Sequence, residues 1–153
     1  MNNKFKIVVP SYNNEKWIAT NIESIKEQNY SNFEVLYIND KSTDRTEELY
    51  HKYVGNDPKW TLQNNEKNMQ RPHNVAPKNL AHFFNDPEEI LLFVDGDDWL
   101  SNAGVLEQVN EFYNKNNCWM TYGGMVCWRG GDKIEQAHPQ NSPYPPQIHA
   151  NNA

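Results

Sequence analysis

Ile90-Leu91-Leu92-Phe93-Val94-Asp95-Gly96-Asp97-Asp98 is the stretch that decides the fold class. Five consecutive apolar residues, too few for a buried helix, suit a strand covered on both faces. The run then ends abruptly on three carboxylates in four residues. Two more near-continuous apolar runs, residues 5–9 and 33–38, have the same character. Between the runs the period changes. Ile18, Ile22 and Ile25 fall at i, i+4 and i+7, on one face of a helix over about residues 15–28. Asp44 with Glu47 three residues on marks a second helix start, followed by Leu49, Tyr50, Tyr53 and Val54. Leu80, Phe83 and Phe84 suggest a short third helix, and Val105, Leu106, Val109, Phe112 and Tyr113 a fourth. Strands alternating with helices imply βαβ crossovers: an α/β fold with a mostly parallel, Rossmann-like central sheet flanked by helices.

The remaining segments are less regular. Residues 60–62 and 119–127 read as further strands. Gly130-Gly131 reads as a turn, and residues 139–153 hold four prolines with almost no periodicity. We expect a domain over residues 1–128, then a turn and Pro-rich tail over 129–153, the stub of a longer protein. At 153 residues the chain is one domain's worth. Its net charge of −6 opposes nucleic-acid binding, which needs clustered Lys and Arg. No run approaches the ~18 apolar residues of a membrane span, and the first strand begins too early for a signal peptide to precede it. The expected location is therefore cytoplasmic, and Cys118 and Cys127 read as two reduced thiols in preference to the alternative, a disulfide between them.

Ligands of open parallel sheets bind beyond the carboxyl ends of the strands. Three polar loops open there: Pro10-Ser11-Tyr12-Asn13-Asn14, Asn39-Asp40-Lys41-Ser42-Thr43-Asp44 and Asp95-Gly96-Asp97-Asp98. The last repels itself unless a cation offsets it, and all-oxygen donors favour a hard divalent ion, Mg²⁺ or Mn²⁺, completed by water and substrate phosphates. A solvated turn explains Asp95-Gly96 but not two further acids closing a buried strand. A helix–loop–helix calcium site is off register, because the twelfth position from Asp95 is Leu106. Asp40 ends an apolar strand, where an unpaired carboxylate is costly, and suits hydrogen bonding to a base or ribose. Helix capping then falls to Ser42, Thr43 or Asp44. Tyr12 either stacks on a nucleobase or packs over the first helix. Lys78 and Arg71 either neutralise phosphates or are solvated charges. His73, His82, His138 and His149 are lone histidines, and Trp99 and Trp128 are either sugar platforms or packing residues.

Three segments together resemble family 2 glycosyltransferases: Val8-Val9-Pro10-Ser11-Tyr12-Asn13, Tyr37-Ile38-Asn39-Asp40-Lys41-Ser42-Thr43-Asp44-Arg45-Thr46 and Phe93-Val94-Asp95-Gly96-Asp97-Asp98-Trp99-Leu100. They stand in that family's order and spacing across about the first 125 residues. The resemblance implies a GT-A fold with a metal-binding DxD motif and a nucleotide-diphospho-sugar donor, with UDP the usual nucleotide. By the same resemblance Pro10, Ser11 and Tyr12 lie along the nucleotide, and Asp40 bonds the base. Asp95 and Asp97 are the DxD acids, and Asp97 and Asp98 stand nearest the diphosphate and hold Mn²⁺ or Mg²⁺. Lys78-Asn79 looks like the family's Arg-Asn pair, with Lys keeping the charge but losing bidentate geometry. Lys41 stands where the family usually has Gly. The acceptor, a saccharide, protein or lipid hydroxyl, is unspecified.

Inverting members also need a carboxylate base later in the chain. Asp132 and Glu135 are the candidates, though neither has a family motif around it. The donor half reads as intact and the acceptor half as missing or replaced. Two rival readings remain: a nucleotide-sugar-binding module without turnover, and a nucleotidyltransferase. The second normally has a Gly-rich loop after the first strand, and residues 10–14 contain no Gly.

Overall fold

The structure is a computed structural model that describes residues 1–69, 77–116, 118–121, 125–129 and 132–137, with backbone alone at 77–79, 125–129 and 132–137. It divides into two compact units, Met1–Asn110 and a second beginning at Glu111. The first unit is built on four parallel strands in the order β3-β2-β1-β4: β1 (Phe5–Ser11), β2 (Phe33–Asn39), β3 (Trp60–Asn64) and β4 (Ile90–Phe93). Phe5 registers with Phe33 on one side and Ile90 on the other, and Val35 with Trp60. Helices α1 (Ile18–Lys26), α2 (Thr46–Val54) and α3 (Pro77–Phe83) make the crossovers, and α4 (Val105–Lys115) begins in this unit.

Alternation along the strands divides the core into two layers. Phe5, Ile7 and Val9 of β1 join Phe33, Val35 and Tyr37 of β2 on one face, where Ile18, Ile22 and Ile25 of α1, Tyr50 and Val54 of α2 and Leu106 of α4 cover them. Val8, Leu36 and Ile38 point to the other face, against Leu80 and Phe83 of α3. This two-sided cover is why β1 and β2 read as continuous apolar runs, whereas β4, expected to be covered on both faces, is only partly buried, with Phe93 exposed. Each fully buried isoleucine of α1 contributes ~1.5–3 kcal/mol. Lys6 departs from the pattern, buried on the α3 face. Its Nζ lies 2.6 Å from Glu34 and 3.6 Å from Glu89, and 4.6 Å over the Phe83 ring.

Helix α1 is shorter than the span of about residues 15–28 expected from its periodicity. Helix α1 starts at Ile18, after a turn in which the Asn14 carbonyl accepts from the amides of Trp17 and Ile18. Helix α2 ends at Gly55, whose φ of +63° is one that glycine adopts without steric cost. Helix α3 opens on Pro77, at the position where a missing N–H costs nothing.

The second unit contains the end of α4 and an antiparallel pair, β5 (Met125–Arg129) and β6 (Asp132–Ala137), with an irregularity between Cys127 and Trp128. The strand expected over residues 119–127 thus begins at Met125, and Trp119 and Met120 are exposed before it. Strand β6 falls where a turn and tail were expected. Its Asp-Lys-Ile-Glu-Gln-Ala sequence has one large aliphatic residue, so the strand is defined by its backbone ladder rather than by patterning. The expected Gly130-Gly131 turn and the segment 139–153 lie outside the described residues. Among the described residues no helix is long and apolar enough to cross a membrane.

Candidate active site at the strand ends

Strand β1 pairs with β2 on one side and β4 on the other, so successive crossovers run in opposite directions from it. The carboxyl ends of β1 and β4 therefore flank the topological switch point, where open α/β sheets hold their ligands. The loops identified from sequence converge there. The Pro10 carbonyl accepts from Gly96 N at 2.9 Å and the Ser11 carbonyl from Asp40 N at 2.8 Å, which ties both flanking loops to the end of β1.

Tyr12 is half exposed beyond this junction, whereas Ser11 is buried. The Ser11 hydroxyl accepts from Tyr37 Oη at 2.8 Å and Asn14 Nδ2 at 3.0 Å. Burial pushes the Tyr37 phenol well above its ordinary range, so it remains a donor. The first two loops are laced together. Asn13, at φ +54°, donates its N–H to Ser42 Oγ, and its side chain accepts from Thr43 N. Asp44 accepts from Glu15 N and from Thr46 N and Oγ1. Burial would raise the Asp44 pKa, but the Thr46 hydroxyl and the backbone amides of Glu15, Thr46 and Asp44 itself outweigh it and hold the carboxyl below its ordinary value. The N-cap position of α2 is Arg45, which makes no side-chain cap bond; of the three capping candidates it is Asp44, one residue earlier, that accepts from the first helical amide, Thr46 N.

Both Asp40 oxygens accept from Met69 N at 3.0 Å, and Oδ1 also from Asn65 Nδ2 at 2.7 Å. The carboxylate is therefore fixed by the segment following β3. Lys41, in the usual glycine position, has φ +62°. The left-handed turn is kept despite the side chain.

The acidic turn follows β4. Asp98 N donates to the Asp95 carbonyl at 2.9 Å, closing it. Gly96 is buried at its base: a Cβ there would lie 2.5 Å from Asn14 Nδ2 and 2.7 Å from Ser11 Oγ, so the tight approach to β1 requires glycine. Asp95, Asp97 and Asp98 are exposed. Desolvation, and then the charges of Asp97 and Asp95, raise the Asp98 pKa above its ordinary value. Trp99 stacks on Trp17 at 6.0 Å directly after the turn.

Among the described residues no three or more His, Cys, Asp or Glu side chains form a ready metal cage. The donors do fit a divalent ion of another kind. Asp97 and Asp98 are accessible, all-oxygen and mutually repelling, and Mg²⁺ or Mn²⁺ takes one or two carboxylates and fills the rest of its shell with phosphate and water.

Lys78 lies on the first turn of α3, described by its backbone alone. Asp132 and Glu135 lie on β6, paired with Arg129 and Cys127, in the second unit. Trp128 lies on β5. His82 is exposed in the last turn of α3, and the Cys118 thiol is free. Arg71, His73, His138 and His149 lie outside the described residues. Sequence reasoning missed Asn14, Asn21 and Asn65, which hold the three loops in place. Asn21 had left a signal, as a polar residue on the isoleucine face of α1.

A parallel Rossmann-like sheet flanked by helices, with polar and acidic loops gathered at its strand ends, is the architecture of the nucleotide-diphospho-sugar folds known as GT-A. The chain matches the family described as Glycosyl transferase family 2 over residues 6–151, and it belongs to that family. Poly(ribitol-phosphate) beta-N-acetylglucosaminyltransferase TarS of Staphylococcus aureus is 33% identical over 118 residues, which cover 74% of this chain and 19% of the relative. This chain thus spans about a fifth of that relative's length. The crystal structure of S. aureus TarS 1-349 with UDP-GlcNAc superposes with a TM-score of 0.66 at 28% identity, covering 87% of this chain and 37% of that one. A mannosyltransferase from Pyrobaculum calidifontis, in complex with GDP-Man and Mn²⁺, shares the fold, with a TM-score of 0.67 at 20% identity, 92% of this chain and 37% of that one.

Proposed function

We propose that this chain is the donor-binding part of a metal-dependent glycosyltransferase that moves a sugar from a nucleotide diphosphate, UDP by preference, to a hydroxyl acceptor with inversion. The observation that carries the reading is the convergence of Asp40 and the Asp95–Asp98 turn on the carboxyl end of β1, beside the switch point. The UDP-GlcNAc complex of the S. aureus relative supports UDP as nucleotide, and the accessible, all-oxygen donors of Asp97 and Asp98 support a divalent ion.

In this reading Asp40 accepts the N–H of the base, its position set by Asn65 and Met69. Tyr12 lies along the nucleotide with Pro10, and Ser11 supports the loop from beneath. Lys78 supplies positive charge toward the diphosphate. Asp97 and Asp98 would hold Mn²⁺ or Mg²⁺, which supplies Lewis-acid stabilisation of the leaving diphosphate. Asp95 completes the DxD motif. Asp132 and Glu135 are the candidate bases for the acceptor hydroxyl.

Titration calorimetry of UDP with Mn²⁺ and with EDTA tests this. Binding that needs the metal and is lost in the Asp97→Ala/Asp98→Ala variant is the expected result. A folded protein that binds neither UDP nor GDP would sink the reading.

A further inference from the structure

We propose that Asn21 is a positioning residue for the acidic turn: its side-chain amide holds the carbonyls at both ends of the turn and so sets where Asp97 and Asp98 present their carboxylates. The inference rests on the reading of that turn as the metal–diphosphate site.

Asn21 sits on α1, fully buried, on the face that carries Ile18, Ile22 and Ile25. Its Nδ2 donates to the Asp95 carbonyl at 3.1 Å and to the Asp98 carbonyl at 2.7 Å. These are the residues whose own backbone bond closes the turn. One donor group thus pins both ends of a four-residue loop to a helix.

Stability alone does not account for an asparagine here. Its Oδ1 is buried and has no hydrogen-bond partner, a cost that an aliphatic side chain of similar size would avoid. Turning the amide over would set Oδ1 against two carbonyl oxygens, so the orientation follows from the partners. What the asparagine supplies and an aliphatic residue cannot is a two-pronged donor.

The clamp is one end of a longer device. Ser24 Oγ accepts from Leu100 N at 3.1 Å. Gln28 Nε2 donates to the Asn102 carbonyl at 2.8 Å, and its Oε1 accepts from Leu106 N at 3.1 Å. Asn21 and Ser24 of α1, with Gln28 just past its end, thus form a polar stripe at i, i+3 and i+7 that fastens the irregular segment between β4 and α4, and the first turn of α4, to α1 and the residues that follow it. Asn21 is the member of the stripe that reaches the acids. Three neighbouring carboxylates repel one another and would spread if their backbone were free. A turn held by its carbonyls keeps them gathered before any cation arrives, as outer-shell partners do at metal sites.

Asn21→Leu tests the proposal, because it fills the volume and removes the orphan acceptor together with the donor; Asn21→Ala is the second variant. Two readouts are taken on the full chain. Calorimetry with UDP, in Mn²⁺ and in EDTA, measures the gain in affinity that the metal confers. Hydrogen exchange measures the amides of residues 96–100 against those of β1 and β2. The expected result is a loss of roughly tenfold or more in the UDP affinity measured with Mn²⁺, a melting temperature close to that of the parent, and faster exchange confined to the turn. A folded Leu variant with the parent's UDP affinity in Mn²⁺, or with parental exchange at residues 96–100, overturns the inference. If the parent itself shows no Mn²⁺-dependent binding, the donor-site reading fails instead, and the exchange result alone decides whether Asn21 holds the turn.

Discussion

Replacing Gly96 with alanine adds one methyl group at the base of the acidic turn. It would stand 2.5 Å from Asn14 Nδ2, 2.7 Å from Ser11 Oγ and 2.8 Å from Ser11 Cβ. Comfortable contacts lie near 3.5–4.0 Å, so the site must open by about 1 Å. Moving the turn outward stretches the 2.9 Å bond from Gly96 N to the Pro10 carbonyl and strains the Asn21 clamp. Such overpacking costs about 1–3 kcal/mol. Gly96 is not among the positive-φ residues, so alanine meets no backbone strain and recovers ~0.4–1 kcal/mol from a less flexible unfolded chain. The net expectation is a loss of about 1–2 kcal/mol, read as a lower urea midpoint with an unchanged slope by tryptophan fluorescence. A double-mutant cycle isolates the cause. Ser11→Gly removes two of the three offending atoms and releases Asn14 from its bond to Ser11, so the alanine should cost about 1 kcal/mol less in that background. A single-variant loss below about 0.5 kcal/mol, or the same loss in both backgrounds, would refute the steric account.

Two further outcomes concern the frame around the site. Lys41 holds a left-handed φ of +62° that costs a side chain ~1–2 kcal/mol, against ~0.5–1 kcal/mol of extra flexibility for glycine, so Lys41→Gly should stabilise by about 0.5–1 kcal/mol in urea denaturation; a loss would mean that the lysine side chain makes a compensating interaction. The Lys4 ammonium, and then that of Lys6, hold the Glu34 carboxyl below its ordinary value. A depressed carboxylate adds stability above its unfolded pKa that is lost as pH falls through the folded one, so melting temperature should decline from about pH 4.5 downward. Glu34 is two-fifths exposed, which limits the effect to about 1 kcal/mol or less, and Glu34→Gln should remove that part of the decline. An acid limb identical in the variant would assign the decline to other carboxylates.

The elements that bury their apolar faces were legible in the chain itself. Ile18, Ile22 and Ile25 placed α1, and the doubly covered strands announced themselves as unbroken apolar runs. The three polar loops were legible too, because polar residues ending a buried strand have few explanations other than a ligand. Strand β6 was not, since a polar hairpin strand carries almost no hydrophobic period. Helix α1 was read long because periodicity says where a face lies, whereas the turn at Asn14 says where the backbone becomes helical.

By itself the sequence determined which residues are acidic, where apolar runs stop and in what order the loops come, because those are properties of neighbours along the chain. The tertiary structure decided what each side chain is free to do. It turned Ser11 inward toward Tyr37 and Asn14, gave Asp44 to the helix start, and anchored Asp40 from Asn65 and Met69. It also brought Asn21 within hydrogen-bond reach of Asp95 and Asp98, 74 and 77 residues away along the chain. Donors and acceptors are satisfied through space, and a one-dimensional pattern holds no record of which distant carbonyl will meet which amide.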